Sequence, residues 1–92
     1  MRMVDSIRIG ELVQSLSGHD KGQYFLVTDK EGVFLRLCDG KTRKAQKCKK
    51  KKQKHVRGTG VICPWVAESP ERVNNTSVRR ALGELRAQGE FK

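Results

Sequence analysis

The sequence predicts a small, mainly β domain followed by a C-terminal amphipathic helix. Three observations carry that expectation. Up to residue 63 the apolar residues fall in short runs rich in β-branched and aromatic side chains, separated by turns that contain glycine. After Pro70 the apolar spacing changes to three and four residues. The chain has 92 residues, enough for one hydrophobic core, since a second would need roughly another 50 to 100. The expected division is a β-domain over 1–67, with a basic segment at 41–57, and an extension over 68–92.

The elements follow in order. Ile7 to Leu16 alternates loosely around Leu12 and Val13 and reads as a strand, and Ser17-Gly18-His19-Asp20-Lys21-Gly22 follows with strong turn character. Tyr24 to Thr28 and Val33 to Leu37 read as two antiparallel strands joined through Asp29-Lys30-Glu31-Gly32. Tyr24, Phe25 and Phe34 are expected in the core. Asp39-Gly40 marks the next turn, a short edge strand fits near Thr42 to Gln46, and Val61-Ile62-Cys63 reads as the last strand before Pro64. Trp65 either covers the end of the sheet or stacks a base. Val78, Ala81, Leu82 and Leu85 stand at i, i+3, i+4 and i+7, which predicts a helix over about 76–88. Asn75, Thr76 or Ser77 can cap its start and Gly89 its end. That stripe must dock on the β-domain, dimerise, or meet a protein partner.

Charge is the strongest pointer to function. The formal net charge is +10, and 10 of the 20 Lys and Arg lie in 41–57 without one acid between them. The rest of the chain is neutral, so the excess is local and suits an anionic partner. Anionic lipid would favour apolar anchors among the bases, and 43–55 offers only Ala45 and Cys48. A solvated tail has no need of ten bases in one block. A phosphate backbone suits such a cluster, because each cation that meets a phosphate releases counterions without demanding one fixed geometry. RNA is favoured over DNA because no helix-turn-helix, finger or basic zipper pattern is present. The loop at 18–22 adds a second signal: Gly18 and Gly22 allow close backbone approach, and Lys21 stands where a phosphate can be met.

Other chemistries find no support in the pattern. Asp39-Gly40-Lys41-Thr42 is like the end of a P-loop, but Leu35 stands where that motif needs glycine. Cys48, His55 and Cys63 match no paired zinc spacing and lack a fourth ligand, so no metal or other cofactor is expected. His19 and His55 have no evident Ser or Cys partner, which leaves catalysis without a candidate residue. Three cysteines without CxxC spacing, and no apolar stretch suited to export or to a membrane, favour reduced thiols and a cytoplasmic location.

Gly10-Glu11-Leu12-Val13-Gln14-Ser15 followed by Gly18-His19-Asp20-Lys21-Gly22 resembles the KOW motif that opens small SH3-like barrels. Asp39-Gly40-Lys41-Thr42-Arg43-Lys44 and Lys49-Lys50-Lys51-Lys52-Gln53-Lys54-His55 extend the likeness to KOW-domain RNA-binding proteins related to large-subunit ribosomal proteins of archaeal and eukaryotic type. The resemblance covers about 10–56. It implies a five-stranded SH3-like barrel that binds structured or ribosomal RNA without catalysis, in a translation-associated role. It implies a contact set of Lys21, Lys41, Arg43, Lys44, Lys47, Lys49, Lys50, Lys51, Lys52, Lys54, His55 and Arg57, with Gly18, Asp20 and Gly22 shaping the first loop. Cys48 departs from the proline expected before the lysine run, and His19 from the commoner basic residue. The competing expectations are a protein-interaction adaptor, in which the barrel or the stripe of Val78, Ala81, Leu82 and Leu85 binds a protein while the lysine run adds electrostatic attraction, and a KOW module of a transcription complex.

Overall fold

A computed structural model of the chain describes residues 7–88, apart from the side chains at 85, 86 and 88. Five strands, β1 (Glu11–Ser15), β2 (Tyr24–Glu31), β3 (Phe34–Cys38), β4 (Lys49–Lys52) and β5 (Val56–Ile62), precede a short helix α1 (Trp65–Glu68) and a longer helix α2 (Asn75–Gln88). All neighbouring strands are antiparallel, in the order β4-β3-β2-β1-β5. β1 to β4 form a meander, and β5 returns to the free side of β1.

That return forces the sheet to curl. A flat sheet of five strands would hold its two edges about 19 Å apart, at about 4.8 Å per strand. β4 and β5, which are those edges, are joined only by a 3-10 turn over Gln53–His55. Such a turn rises about 2 Å per residue and cannot cross that gap, so the edges must approach at this end. The edges do not pair, and the sheet is open.

The first half of β2 and most of β3 are covered on both faces, which explains why they read as nearly continuous apolar runs. Alternate residues go to opposite sides. Val13, Phe25, Val27, Leu35 and Leu37 join Ile7 and Val56 in one cluster, on the inside of the curl. Leu12, Leu26 and Cys38 form the other cluster with Val66 of α1 and Val78 and Leu82 of α2. Burying a Leu, Val or Phe side chain is worth roughly 1.5–3 kcal/mol, so the second cluster is what holds the helix. Val78, Ala81 and Leu82 are therefore covered by the domain's own sheet. The side chain of Leu85 and the proposed cap Gly89 lie outside the described residues.

The structure corrects several expected boundaries. The edge strand is Lys49–Lys52, not Thr42 to Gln46, where a bend and a 3-10 turn at Ala45–Lys47 stand instead. β1 is confined to Glu11–Ser15, and Val33 belongs to the turn before β3. The last strand runs over Val56–Ile62, starting five residues before the expected Val61 and ending before Cys63, because its backbone is paired with β1. Its irregular register is closed by buried Glu11, whose carboxylate accepts the amides of Arg8 and Gly60, each at 3.1 Å. Asn74, not one of the three following residues, caps α2: its Oδ1 accepts the Ser77 amide and the Ser77 Oγ accepts the Asn74 amide, both at 2.9 Å.

Phe25 is fully buried, whereas Tyr24 and Phe34 are only half-buried. Trp65 packs against the second cluster, with the Arg72 guanidinium 5.1 Å from its ring centroid. Cys38, Cys48 and Cys63 are free thiols. Burial, with Cys48 beside it, pushes the Cys38 thiol well up, and it behaves as a small apolar core residue. No helix among the described residues is long and apolar enough to cross a membrane.

Helix α2 also fastens the loop that begins the basic segment. Arg79 Nη1 donates to the Gly40 carbonyl at 2.7 Å, and Asn75 Oδ1 accepts the Ala45 amide at 2.8 Å. Gly40 has φ +77, and a Cβ there would lie 2.5 Å from the Asn75 carbonyl oxygen and 2.8 Å from Arg79 Cγ. Gly40→Ala is expected to cost about 2 kcal/mol or more through strain and displacement of the helix, lowering Tm by roughly 10 °C. Thermal unfolding followed by circular dichroism checks this, and an unchanged Tm would contradict it.

Candidate nucleic-acid interface

The basic segment begins at a loop organised by one carboxylate. Asp39 Oδ1 accepts the amides of Lys41 and Arg43, and Oδ2 accepts the Thr42 hydroxyl, all at 2.8 Å. Burial alone would raise the Asp39 pKa, but these hydrogen bonds outweigh it and hold the carboxyl below its usual range. Lys41, Arg43 and Lys44 consequently project from a closed loop and are exposed, as is Lys47 after it.

β4 consists of four lysines and pairs with Phe34–Leu37 of β3. A strand sends successive side chains to opposite faces, so it sorts identical residues into two groups. Lys49 and Lys51 turn inward. Lys49 Nζ lies 2.5 Å from Asp20 Oδ2, and Lys51 Nζ lies 3.0 Å from Asp20 Oδ1 and donates to the Ser17 carbonyl at 2.7 Å. Ser15 Oγ donates to Asp20 Oδ1 at 2.7 Å. Burial opposes ionisation of Asp20, yet hydrogen bonds from Lys49, Ser15 and Lys51 prevail and hold its carboxyl far below the ordinary range.

Lys50 and Lys52 turn outward and are exposed. Their ammonium groups lie 5.2 and 5.9 Å from the Phe34 ring centroid. Such contacts are worth about 0.5–1 kcal/mol at exposed sites, and they hold both long side chains over one aromatic ring. Lys54 is exposed in the turn after β4, and His55 is half-buried there, its carbonyl accepting the Leu16 amide. Arg57 is exposed on β5 and donates to Gln14 Oε1 at 2.7 Å.

The first loop meets β4 through Asp20. Gly18 and Gly22 have φ +83 and +89, and Lys21 is exposed between them. Of the twelve residues singled out in the sequence, Lys21, Lys41, Arg43, Lys44, Lys47, Lys50, Lys52, Lys54 and Arg57 face solvent, Lys49 and Lys51 are held by Asp20, and His55 is half-buried. Sequence reasoning missed the role of Asp20 as counter-charge and the position of Phe34 among the lysines. The period of two was hidden because every residue of the strand is the same.

A scan against protein-family models finds no match, and neither does a search of curated proteins.

Asp20→Asn would leave two inward lysines without their counter-charge. Breaking such a pair by removing one partner costs about 3–5 kcal/mol when it is buried, and about 2–4 is expected here because Lys49 is partly exposed. The folded pKa is lowered, so the wild-type advantage is complete above the unfolded carboxylate value near 4 and declines as pH falls through the folded one. Urea unfolding of both proteins at pH 7 and at stepwise lower pH should show a gap that narrows only below about pH 4. A gap of zero at pH 7 would contradict it.

Proposed function

We propose that the chain is a noncatalytic RNA-binding module of KOW type, its curled sheet a five-stranded SH3-like barrel. On this reading it binds ribosomal or other structured RNA, through residues 18–22 and 41–57, in association with translation. The observation that carries the reading is the outward pair of β4, Lys50 and Lys52, continued by Lys54, with Lys47 before it. These cations are exposed and lie on or beside a fixed strand, whereas the opposing acid, Asp20, is turned to the other face. An ordered row of cations suits a run of phosphates and gives sequence-tolerant affinity.

The barrel form is supported by the return of β5 to β1 and by the single turn that brings β4 and β5 together. The KOW likeness is supported by a loop between β1 and β2 that has two glycines at positive φ and an acid between them. RNA is preferred to DNA because the sequence carries no helix-turn-helix, finger or basic zipper pattern. Val78, Ala81 and Leu82 are buried within the chain itself, which removes three residues of the stripe that the adaptor alternative would use.

Binding to a structured RNA, measured by fluorescence anisotropy between about 50 and 300 mM salt, should give a log–log slope near −3 to −5 if about five phosphates are met. The triple variant Lys50→Gln, Lys52→Gln, Lys54→Gln should make the slope shallower by about 2 to 3 and lower Tm by at most roughly 5–10 °C, through loss of the two contacts with Phe34. Affinity independent of salt, or a slope unaltered in the variant, would contradict the proposal. Recovery of protein partners that survive nuclease treatment would favour the adaptor instead, and recovery of RNA polymerase in place of ribosomal particles would favour the transcription-complex alternative.

A further inference from the structure

Two of the three free thiols stand opposite each other on neighbouring strands. β3 and β4 pair from Phe34↔Lys52 to Leu37↔Lys49, and one step further that register sets Cys38, the last residue of β3, opposite Cys48, the residue before β4. Both side chains lie on the face of the sheet away from Asp20: Cys38 belongs to the second core cluster, and Cys48 packs against it. Cys48 Sγ lies 3.4 Å from Thr28 Oγ1 and donates to the Ala45 carbonyl at 3.3 Å, and the Cys38 thiol is within hydrogen-bonding reach of it. Opposed residues of an antiparallel pair hold their Cα atoms about 4.5–5.5 Å apart, inside the range of about 4.4–6.8 Å that a disulfide spans. Their Cβ atoms, also about 4.5–5.5 Å apart, must close by roughly 1 Å for the bond to form. The strand that Cys48 leads into is an edge with one hydrogen-bonded neighbour, β3, which leaves it room to make that shift.

We infer that Cys38 and Cys48 are a reversible redox pair, which a hydroperoxide joins in a cross-strand disulfide. The inference is independent of the RNA-binding reading. The two thiols differ in access: Cys48 is half-buried and meets a small oxidant first, whereas Cys38 is 0% exposed and reacts with the neighbour it already touches. In the first step the Cys48 sulfur attacks a peroxide oxygen, the O–O bond breaks, and Cys48 sulfenic acid and water form. In the second the Cys38 sulfur attacks the Cys48 sulfur, the S–S bond forms, the S–O bond breaks, and the hydroxyl leaves with the Cys38 proton as a second water. The two thiols together lose two electrons to one hydrogen peroxide, and a thiol reductant reverses the bond by exchange. Burial keeps Cys38 protonated, which makes the second step the slower one. The link closes a ring over residues 38–48 that carries the exposed Lys41, Arg43, Lys44 and Lys47, and so fixes the base of the loop from which they project. Cys63 stays outside the pair, because it follows β5, and β1 and β2 stand between that strand and β3.

The test treats the reduced full chain with a small excess of hydrogen peroxide, blocks the remaining thiols by alkylation and maps the links by mass spectrometry. A monomer with a Cys38–Cys48 disulfide and an alkylated Cys63 is expected, returned to three free thiols by dithiothreitol. The oxidised chain should melt roughly 5–10 °C above the reduced one, since the closed ring restricts the unfolded chain. Cys48→Ser should show neither the link nor the rise in Tm. In Cys38→Ala the first step should still occur and leave a Cys48 sulfenic acid that dimedone traps; should that core variant fail to fold, Cys48→Ser carries the comparison alone. A link to Cys63, links only between two copies of the chain, or thiols that all remain open to alkylation would overturn the pair. So would an oxidised chain no more stable than the reduced one, or a rise in Tm that persists in Cys48→Ser.

Discussion

One carboxylate decides how the basic segment is used. Four consecutive lysines repel one another and have no apolar side chain with which to enter a sheet, so a strand built from them needs an opposite charge on its inner face. Asp20 provides it, placed there by the loop between β1 and β2 and held by the Ser15 hydroxyl. Once Lys49 and Lys51 are drawn to that carboxylate, the alternation of the strand leaves Lys50 and Lys52 on the opposite face. On the proposed reading, recognition and stability come from the same four residues, divided by a geometric rule and one acid.

The remaining architecture serves to keep that strand in position. β4 is an edge, with a hydrogen-bonded neighbour only at β3, and its two ends are secured separately. Before it, the loop at 39–43 is closed by Asp39 and fastened to α2 through Arg79 and Asn75. After it, the Gln53 amide donates to the Val33 carbonyl at 2.9 Å and the turn leads directly into β5. The helix is therefore more than a lid on the second core cluster. Its first turns connect the core to the cationic loop, so packing of Val78 and Leu82 on Leu12, Leu26 and Cys38 is transmitted to where Lys41, Arg43 and Lys44 project.

What was legible in the sequence followed the apolar pattern. β2 and β3 and the buried stripe of α2 carry enough Leu, Val and Phe for their periods to show, and the glycines of the first loop mark a turn by themselves. β4 was illegible because a run of identical residues carries no period, and its extended form is imposed by β3 and Asp20, a tertiary effect. β5 was only half visible: Arg57, Gly58, Thr59 and Gly60 have no apolar signature, and backbone pairing with β1 makes them a strand. Thr42 to Gln46 looked extended, but Asp39 takes the Arg43 amide and Asn75 the Ala45 amide, which a strand would have offered to a neighbour. Of the candidate site, the charge was visible at once. Its division into inward and outward halves was not, nor was the place of Phe34 beside it.

The central claim, that neighbouring lysines on one strand have different duties, is tested most directly by acetylation of the folded chain with a lysine-selective reagent, read residue by residue by mass spectrometry with and without saturating structured RNA. Lys50 and Lys52 should react fast in the free protein and be protected by RNA, while Lys51, 9% exposed and bound to Asp20 and Ser17, should react slowly in both states. Lys50 and Lys52 that keep full reactivity under bound RNA, or a Lys51 that reacts as fast as they do, would contradict the account.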